Sequence, residues 1–111
     1  MPGRDDDLAL LIEAARLAGR IALRYWKRNP KTWEKGDEGP VTEADIAVND
    51  ALAQLLRSAR PGYGWLSEET PDTAARLECE HVFILDPIDG TRAFIAGEDS
   101  FSHAIAIARH G

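Results

Sequence analysis

The sequence predicts an α+β fold in which two N-terminal helices pack on an antiparallel sheet. Three observations point there. Apolar residues recur at three- and four-residue steps from Leu8 to Trp26 and again from Ala44 to Leu56, a β-branched and aromatic run, Val82-Phe83-Ile84-Leu85, comes next, and Phe101 to Ala108 alternates loosely between Ile and Ala. The 111 residues have the size of one small domain, able to bury a core while much of the surface stays wet.

The first helix carries Leu8, Leu11, Ile12, Ala15, Ala18, Ala22, Tyr25 and Trp26 on its expected apolar stripe. Asp5 or Asp6 caps its start in this reading, Arg24, Lys27 and Arg28 suit its negative end, and Pro30 stops it. Lys31 to Pro40 holds two glycines, acids and lysines with little periodicity and reads as a loop. A second helix opens at Thr42, where Thr42 and Asp45 have capping-box spacing. Ala44, Val48, Ala51, Leu52, Leu55 and Leu56 form its apolar face, and Arg60-Pro61-Gly62 ends it.

Gly64-Trp65-Leu66-Ser67 is a short apolar strand, Thr70 to Glu80 a polar connection, and Val82 to Leu85 a buried strand. Arg92 to Ala96 forms a helical turn ended by Gly97. Phe101 to Ala108 is a last strand, followed by turn residues Arg109-His110-Gly111. An apolar final strand with no returning partner is an open edge, which soluble proteins usually cover. The chain therefore reads as the N-terminal portion of something longer.

Composition narrows the function. A net charge of −6, without clustered Lys and Arg, argues against a nucleic-acid polymer as partner, but not against a phosphorylated small molecule held through cations. No run is long and apolar enough for a membrane span, and the acidic start, Arg4 to Asp7, does not resemble a secretory signal. The expected compartment is the cytoplasm. Cys79, the single cysteine, reads as a partly buried small hydrophobe. His81, His103 and His110 have no ligand or triad spacing and read as surface or strand-end residues. Trp26, Trp33 and Trp65 read as core or loop packing.

Asp86-Pro87-Ile88-Asp89-Gly90-Thr91 is the most informative stretch. Asp86 stands where a buried strand emerges, Pro87 bends the chain, and Asp89 returns toward the same point. Two carboxylates so placed repel each other unless a cation lies between them, and magnesium prefers such hard oxygen ligands. The Ile88 carbonyl is a further candidate ligand, and Gly90 and Thr91 lead into a helical turn whose N–H groups suit phosphate. Taken alone, the string suits equally well an Asx-type turn that caps the next helical turn. Ser67-Glu68-Glu69, with acids where another apolar strand stops, and the helix-opening Thr42-Glu43-Ala44-Asp45 tip the balance toward a site.

These pieces in this order, Val41 to Asp45, Leu66 to Glu69 and Leu85 to Thr91, resemble the inositol monophosphatase superfamily of magnesium-dependent, lithium-sensitive phosphatases. The resemblance covers most of the chain. It implies the N-terminal half of a layered α/β sugar-phosphatase fold, with residues 1–111 as its metal-binding portion and a C-terminal half supplied elsewhere. By the same resemblance, Glu68, Asp86 and the Ile88 carbonyl hold one Mg2+, Asp86 and Asp89 share a second, and Glu68 contributes to a third. Gly90 and Thr91 bind the substrate phosphate. Thr91 and Asp45 orient and deprotonate a metal-activated water, with Glu69 as a supporting carboxylate. The haloacid dehalogenase type also has an aspartate after an apolar strand, but its two aspartates are two residues apart rather than three.

The implied reaction is hydrolysis of a small phosphate monoester. Leu66 to Glu69 and Thr91-Arg92-Ala93-Phe94-Ile95 look most like the bacterial 3'(2'),5'-bisphosphate nucleotidases, with inositol phosphate and histidinol phosphate still open. Arg92 suits either a phosphate neighbour or a solvated helix residue. Dimers are common in the resembling family, so a homodimer is the assembly it suggests. The competing reading is a non-catalytic metal-binding or interaction module that works by pairing its last strand.

Overall fold

The computed structural model describes residues 4–36 and 39–109. In chain order it comprises α1 (Arg4–Tyr25), β1 (Thr32–Glu34), β2 (Pro40–Thr42), α2 (Glu43–Ala59), β3 (Gly64–Ser67), a 3-10 turn (Ala74–Glu78), β4 (His81–Asp89), α3 (Thr91–Ile95) and β5 (Ser102–Arg109). The two long helices pack together and, with the sheet order β3-β4-β5, enclose the core. Val48, Leu52 and Leu56 of α2 meet Trp65, Phe83, Leu85 and Ile88 of the sheet and Phe94 of α3 there.

The α+β class holds, but the sheet is mixed rather than antiparallel. β4 and β5 run antiparallel, whereas β3 and β4 are parallel, with Leu66 opposite Ile84 and Ser67 opposite Leu85. A parallel pair needs a crossover, and the polar connection containing the 3-10 turn supplies it. Strand direction follows from that path, which residue types do not announce. The loop expected from Lys31 to Pro40 contains an antiparallel ribbon, with Trp33 opposite Val41 and Thr32 opposite Thr42. Three-residue strands are too short for alternation to register. Gly36 and Gly39, both at positive φ, flank its turn, and Asp37 and Glu38 lie outside the described residues.

The buried face of α1 matches the expected stripe at Ala18 and Ala22, with Leu11, Tyr25 and Trp26 partly buried against the core, and departs from it elsewhere. Leu10, Ala14, Ala18, Ile21 and Ala22 are buried, whereas Leu8 is 57% and Ile12 44% exposed, and Ala15 is exposed too. This helix is apolar on more than one side, so spacing allows two stripes. Packing against α2 and β5 decides which is used. Asp5, Asp6 and Asp7 lie inside the first turn rather than capping it. Asp7 acts differently, because its carboxylate takes the Arg60 Nε–H at 3.0 Å and the Tyr63 hydroxyl at 2.8 Å, fastening the start of α1 to the end of α2. Burial and the hydrogen bond to Asp7 raise the Tyr63 pKa.

α1 ends at Tyr25, ahead of Pro30, and Lys27 and Asn29 take left-handed backbone. Trp26 then packs on Phe101 at 5.9 Å and donates its indole N–H to the Glu98 carbonyl, so this tryptophan fixes the exit of α1 against the α3–β5 connection. Trp65 is in the core, but Trp33 is 45% exposed on β1, contrary to the packing expected of it. Cys79 is partly buried, as its type suggests. No helix is long and apolar enough to cross a membrane among the described residues. Arg109 is the last residue of β5 rather than part of a turn, and His110 and Gly111 lie outside the described residues.

Candidate active site

The capping box at the start of α2 forms as its spacing predicts. Thr42 Oγ1 accepts from the backbone N–H groups of Ala44 and Asp45, and Asp45 Oδ2 accepts from the Thr42 backbone N–H at 2.8 Å. Asp45 is only 2% exposed, so its second oxygen also needs a partner. Thr91 supplies it: its hydroxyl lies 3.2 Å from Asp45 Oδ1 and 3.1 Å from the Ile88 carbonyl. Capping and a site role are therefore carried by different oxygens of one carboxylate.

β4 runs straight through the motif instead of stopping before it. Asp86 pairs with Ala104 and Asp89 with Ser102, with a bulge between. Pro87, which has no N–H to give to the ladder, falls within the bulge, and Pro87 and Ile88 are consecutive buried residues. The Pro87 carbonyl lies 2.6 Å from His103 Nδ1 on β5. His103 thus braces the motif from behind, a role no local spacing signals. His81, at the start of β4, stacks on Tyr63 at 4.8 Å, and His110 lies outside the described residues. Gly90 sits at φ 89°, and a Cβ there would lie 2.8 Å from the Ser100 carbonyl oxygen. Only glycine fits this turn into α3.

The parallel pairing brings the second acidic segment alongside. Ser67 is opposite Leu85, and the Glu68 N–H donates to the Leu85 carbonyl at 3.2 Å, which sets Glu68 next to the emergence of Asp86. Lys35, from the β1–β2 turn, donates to the Glu68 carbonyl and lies 4.0 Å from the Glu69 carboxylate. Sequence reasoning gave this lysine no role, because only the hairpin carries it to the acids. One cavity of about 340 Å³ is lined by Lys35, Asp45, Glu68, Glu69, Asp86, Ile88, Asp89, Gly90, Thr91 and Arg92. Every site residue predicted from the sequence thus borders a single space. Arg92 is exposed at its rim, its guanidinium lying over Gly39.

The electrostatics of this space are unbalanced. Burial, followed by the negative charges of Glu68, Asp89 and Asp45, pushes the Asp86 carboxyl up to about 6. Burial also raises Glu69, with Lys35 opposing and Asp45, Glu68 and Asp86 adding to the shift. Crowded carboxylates of this kind form a donor set suited to a hard divalent cation, which would relieve their repulsion. Their side chains stand apart as they are: among the described residues, no three acidic, histidine or cysteine groups converge closely enough to hold an ion. The chemistry of the donors fits a hard divalent cation, although their present geometry does not close around one.

The sequence matches the model of the inositol monophosphatase family over residues 4–111. Among curated relatives, a Streptomyces griseus protein named glucose-1-phosphate thymidylyltransferase is 37% identical over 96% of this chain and 41% of its own length. An inositol-1-monophosphatase of Caulobacter vibrioides is 39% identical over 91% of this chain and 40% of its own length. The 3'(2'),5'-bisphosphate nucleotidase CysQ of Salmonella typhimurium is 37% identical over 94% and 44% respectively. Of the solved structures, the Thermotoga maritima IMPase superposes with a TM-score of 0.83 at 28% identity, covering 96% of this chain and 41% of that one. The chain spans about two-fifths of the length of the curated relatives it matches. Family model, relatives and fold agree, and the chain belongs to the inositol monophosphatase family.

Proposed function

We propose that this chain is the N-terminal, metal-binding portion of a magnesium-dependent phosphatase that hydrolyses a small phosphate monoester. The observation that carries the reading is the gathering of Glu68 and Glu69, from the turn after β3, with Asp86 and Asp89 of the parallel neighbour β4 around one cavity that also receives the Asp45–Thr91 pair. In this reading Glu68, Asp86 and the Ile88 carbonyl would hold one Mg2+, Asp86 and Asp89 would hold a second, and Glu68 would contribute to a third. Bound Mg2+ supplies Lewis-acid chemistry, making a water nucleophilic near neutral pH and neutralising charge on the phosphoryl oxygens.

The remaining work falls to the chain itself. Thr91 donates its hydroxyl hydrogen to Asp45 Oδ1, which leaves an Oγ1 lone pair to accept a hydrogen bond from the attacking water. As the new P–O bond forms, the water proton passes to Thr91 Oγ1 and the hydroxyl proton moves on to Asp45 Oδ1. Glu69, its side chain largely buried and close to Lys35, supports this relay as a further carboxylate. The Gly90 and Thr91 N–H groups at the start of α3 receive the phosphate. The ester P–O bond breaks, the leaving oxygen takes a proton from solvent, and the proton held on Asp45 Oδ1 returns to solvent, which restores the starting state.

The substrate class we favour is a 3'(2'),5'-bisphosphate nucleotide or an inositol phosphate, with histidinol phosphate as the alternative within the family. The thymidylyltransferase name of the Streptomyces relative is not carried over, because the matching family model is one of phosphatases. Phosphate release from adenosine 3',5'-bisphosphate, inositol 1-phosphate and histidinol phosphate, measured on the whole protein with and without Mg2+, tests the reading. Mg2+-dependent release from one of them is expected. Absence of Mg2+-dependent release from every ester would overturn it.

A further inference from the structure

Behind the acidic turn lies a buried polar network that the proposed mechanism does not use. Asn49 lies one turn beyond Asp45 on α2, on the same face, and is 5% exposed. Its Oδ1 accepts the Ser67 hydroxyl at 2.5 Å, and its Nδ2 donates to Thr70 Oγ1 at 3.1 Å. Ser67 Oγ in turn accepts the Glu69 backbone N–H at 3.3 Å, and Thr70 Oγ1 also accepts the Trp65 indole N–H at 3.3 Å. One amide side chain thus grips both residues flanking Glu68 and Glu69.

We propose that Asn49 is a positioning residue, holding the Ser67–Thr70 turn so that Glu68 and Glu69 face the cavity in a fixed arrangement for Mg2+. The inference rests on the phosphatase reading above. A carboxamide suits this role because it offers an acceptor to Ser67 and a donor to Thr70 without adding charge to a space already crowded with carboxylates. α2 therefore serves the site twice from one face: Asp45 reaches Thr91, and Asn49 anchors the turn that carries the glutamates. Groups that orient metal ligands typically change metal affinity about 10- to 100-fold when removed.

The test is calorimetric titration with Mg2+ of the wild type, Asn49→Ala, Ser67→Ala, the double variant, and Leu52→Ala as an equally buried α2 control, each with a thermal melt. Asn49→Ala is expected to weaken Mg2+ binding about tenfold. The double variant should be no weaker than the weaker single variant, because both substitutions cut one tether. Leu52→Ala should lower the melting temperature at least as far and leave Mg2+ affinity within about twofold. Unchanged Mg2+ affinity in Asn49→Ala, or a loss of affinity in Leu52→Ala that follows stability alone, overturns the positioning role while the phosphatase reading stands. A wild type that binds no Mg2+ overturns both.

Discussion

Thr91 and Asp45, far apart in sequence, are joined at 3.2 Å between Oγ1 and Oδ1, while the other oxygen of Asp45 closes the capping box with Thr42. The same carboxylate thus fixes the start of a helix and faces the candidate active site. Its two roles can be separated by substitution.

Thr91→Val leaves the capping box intact and removes the hydroxyl. It is expected to lower turnover of the whole protein at least about 100-fold, the usual scale for a proton-transfer group, and to cost about 1–3 kcal/mol of stability because the buried Asp45 Oδ1 loses its donor. Thr91→Ser should retain most of the activity. Asp45→Asn is expected to lose activity similarly and also to cost up to about 1 kcal/mol of stability through the negative charge lost from the first turn of α2. Steady-state kinetics and thermal melts measure the two effects separately, and a Thr91→Val protein of normal turnover would remove Thr91 from the relay.

Metal-free stability should fall between about pH 4 and 6 because of Asp86. Its folded-state pKa, about 6, lies above the ordinary value of 3.8, so the folded protein holds the proton more tightly than the unfolded chain. No penalty from this group applies below the lower value. It grows as pH rises and is complete above the higher one. Allowing for solvent screening at a half-buried group, the effect is about 1 kcal/mol. Urea denaturation in EDTA should show Asp86→Asn gaining about that much at pH 7 and losing the slope between pH 4 and 6. Mg2+ should stabilise the wild type more than this variant.

Gly90→Ala combines a left-handed backbone with a Cβ placed 2.8 Å from the Ser100 carbonyl. Gly97→Ala shares the positive φ, but its nearest neighbour is the flexible Lys27 side chain at 3.5 Å. Gly97→Ala should cost about 1 kcal/mol and Gly90→Ala clearly more, since rigid backbone must also move. Urea midpoints for the two variants measure the difference.

The face of α1 can be read by truncation. Leu10→Ala should cost about 2–4 kcal/mol, while Leu8→Ala, at a position 57% exposed, should stay within about 0.5 kcal/mol. The opposite order would restore the stripe expected from the sequence.

Features encoded locally were legible in the sequence. Thr42 and Asp45 form their box within four residues, and Asp86 to Thr91 and Ser67 to Glu69 are contiguous strings whose residue types carry their chemistry. The buried side of α1 was only partly legible: Ala18 and Ala22 were placed correctly, but Leu8 and Ile12 satisfy the same periodicity as Leu10 and Ala14, and only tertiary packing chooses between them. The pairing of β3 with β4 depends on a crossover, and the β1–β2 ribbon on strands too short to alternate. Lys35, Asn49 and His103 reach the site through contacts between residues distant in sequence. Asn49 left a trace in the sequence, as an amide one turn after Asp45 beside the apolar stripe of α2.

The bulge in β4 gives the spacing of its two aspartates a parity. In an uninterrupted strand, residues three apart point to opposite sides of the sheet. The adjacent buried pair Pro87 and Ile88 shifts that count by one, which returns Asp89 to the side of Asp86 and lets both border one cavity. An odd interval and a broken ladder are thus a matched pair. Lengthening or shortening the interval by one residue while the bulge remained would turn one carboxylate into the core, so the arithmetic of the motif and the irregularity of its strand can only change together.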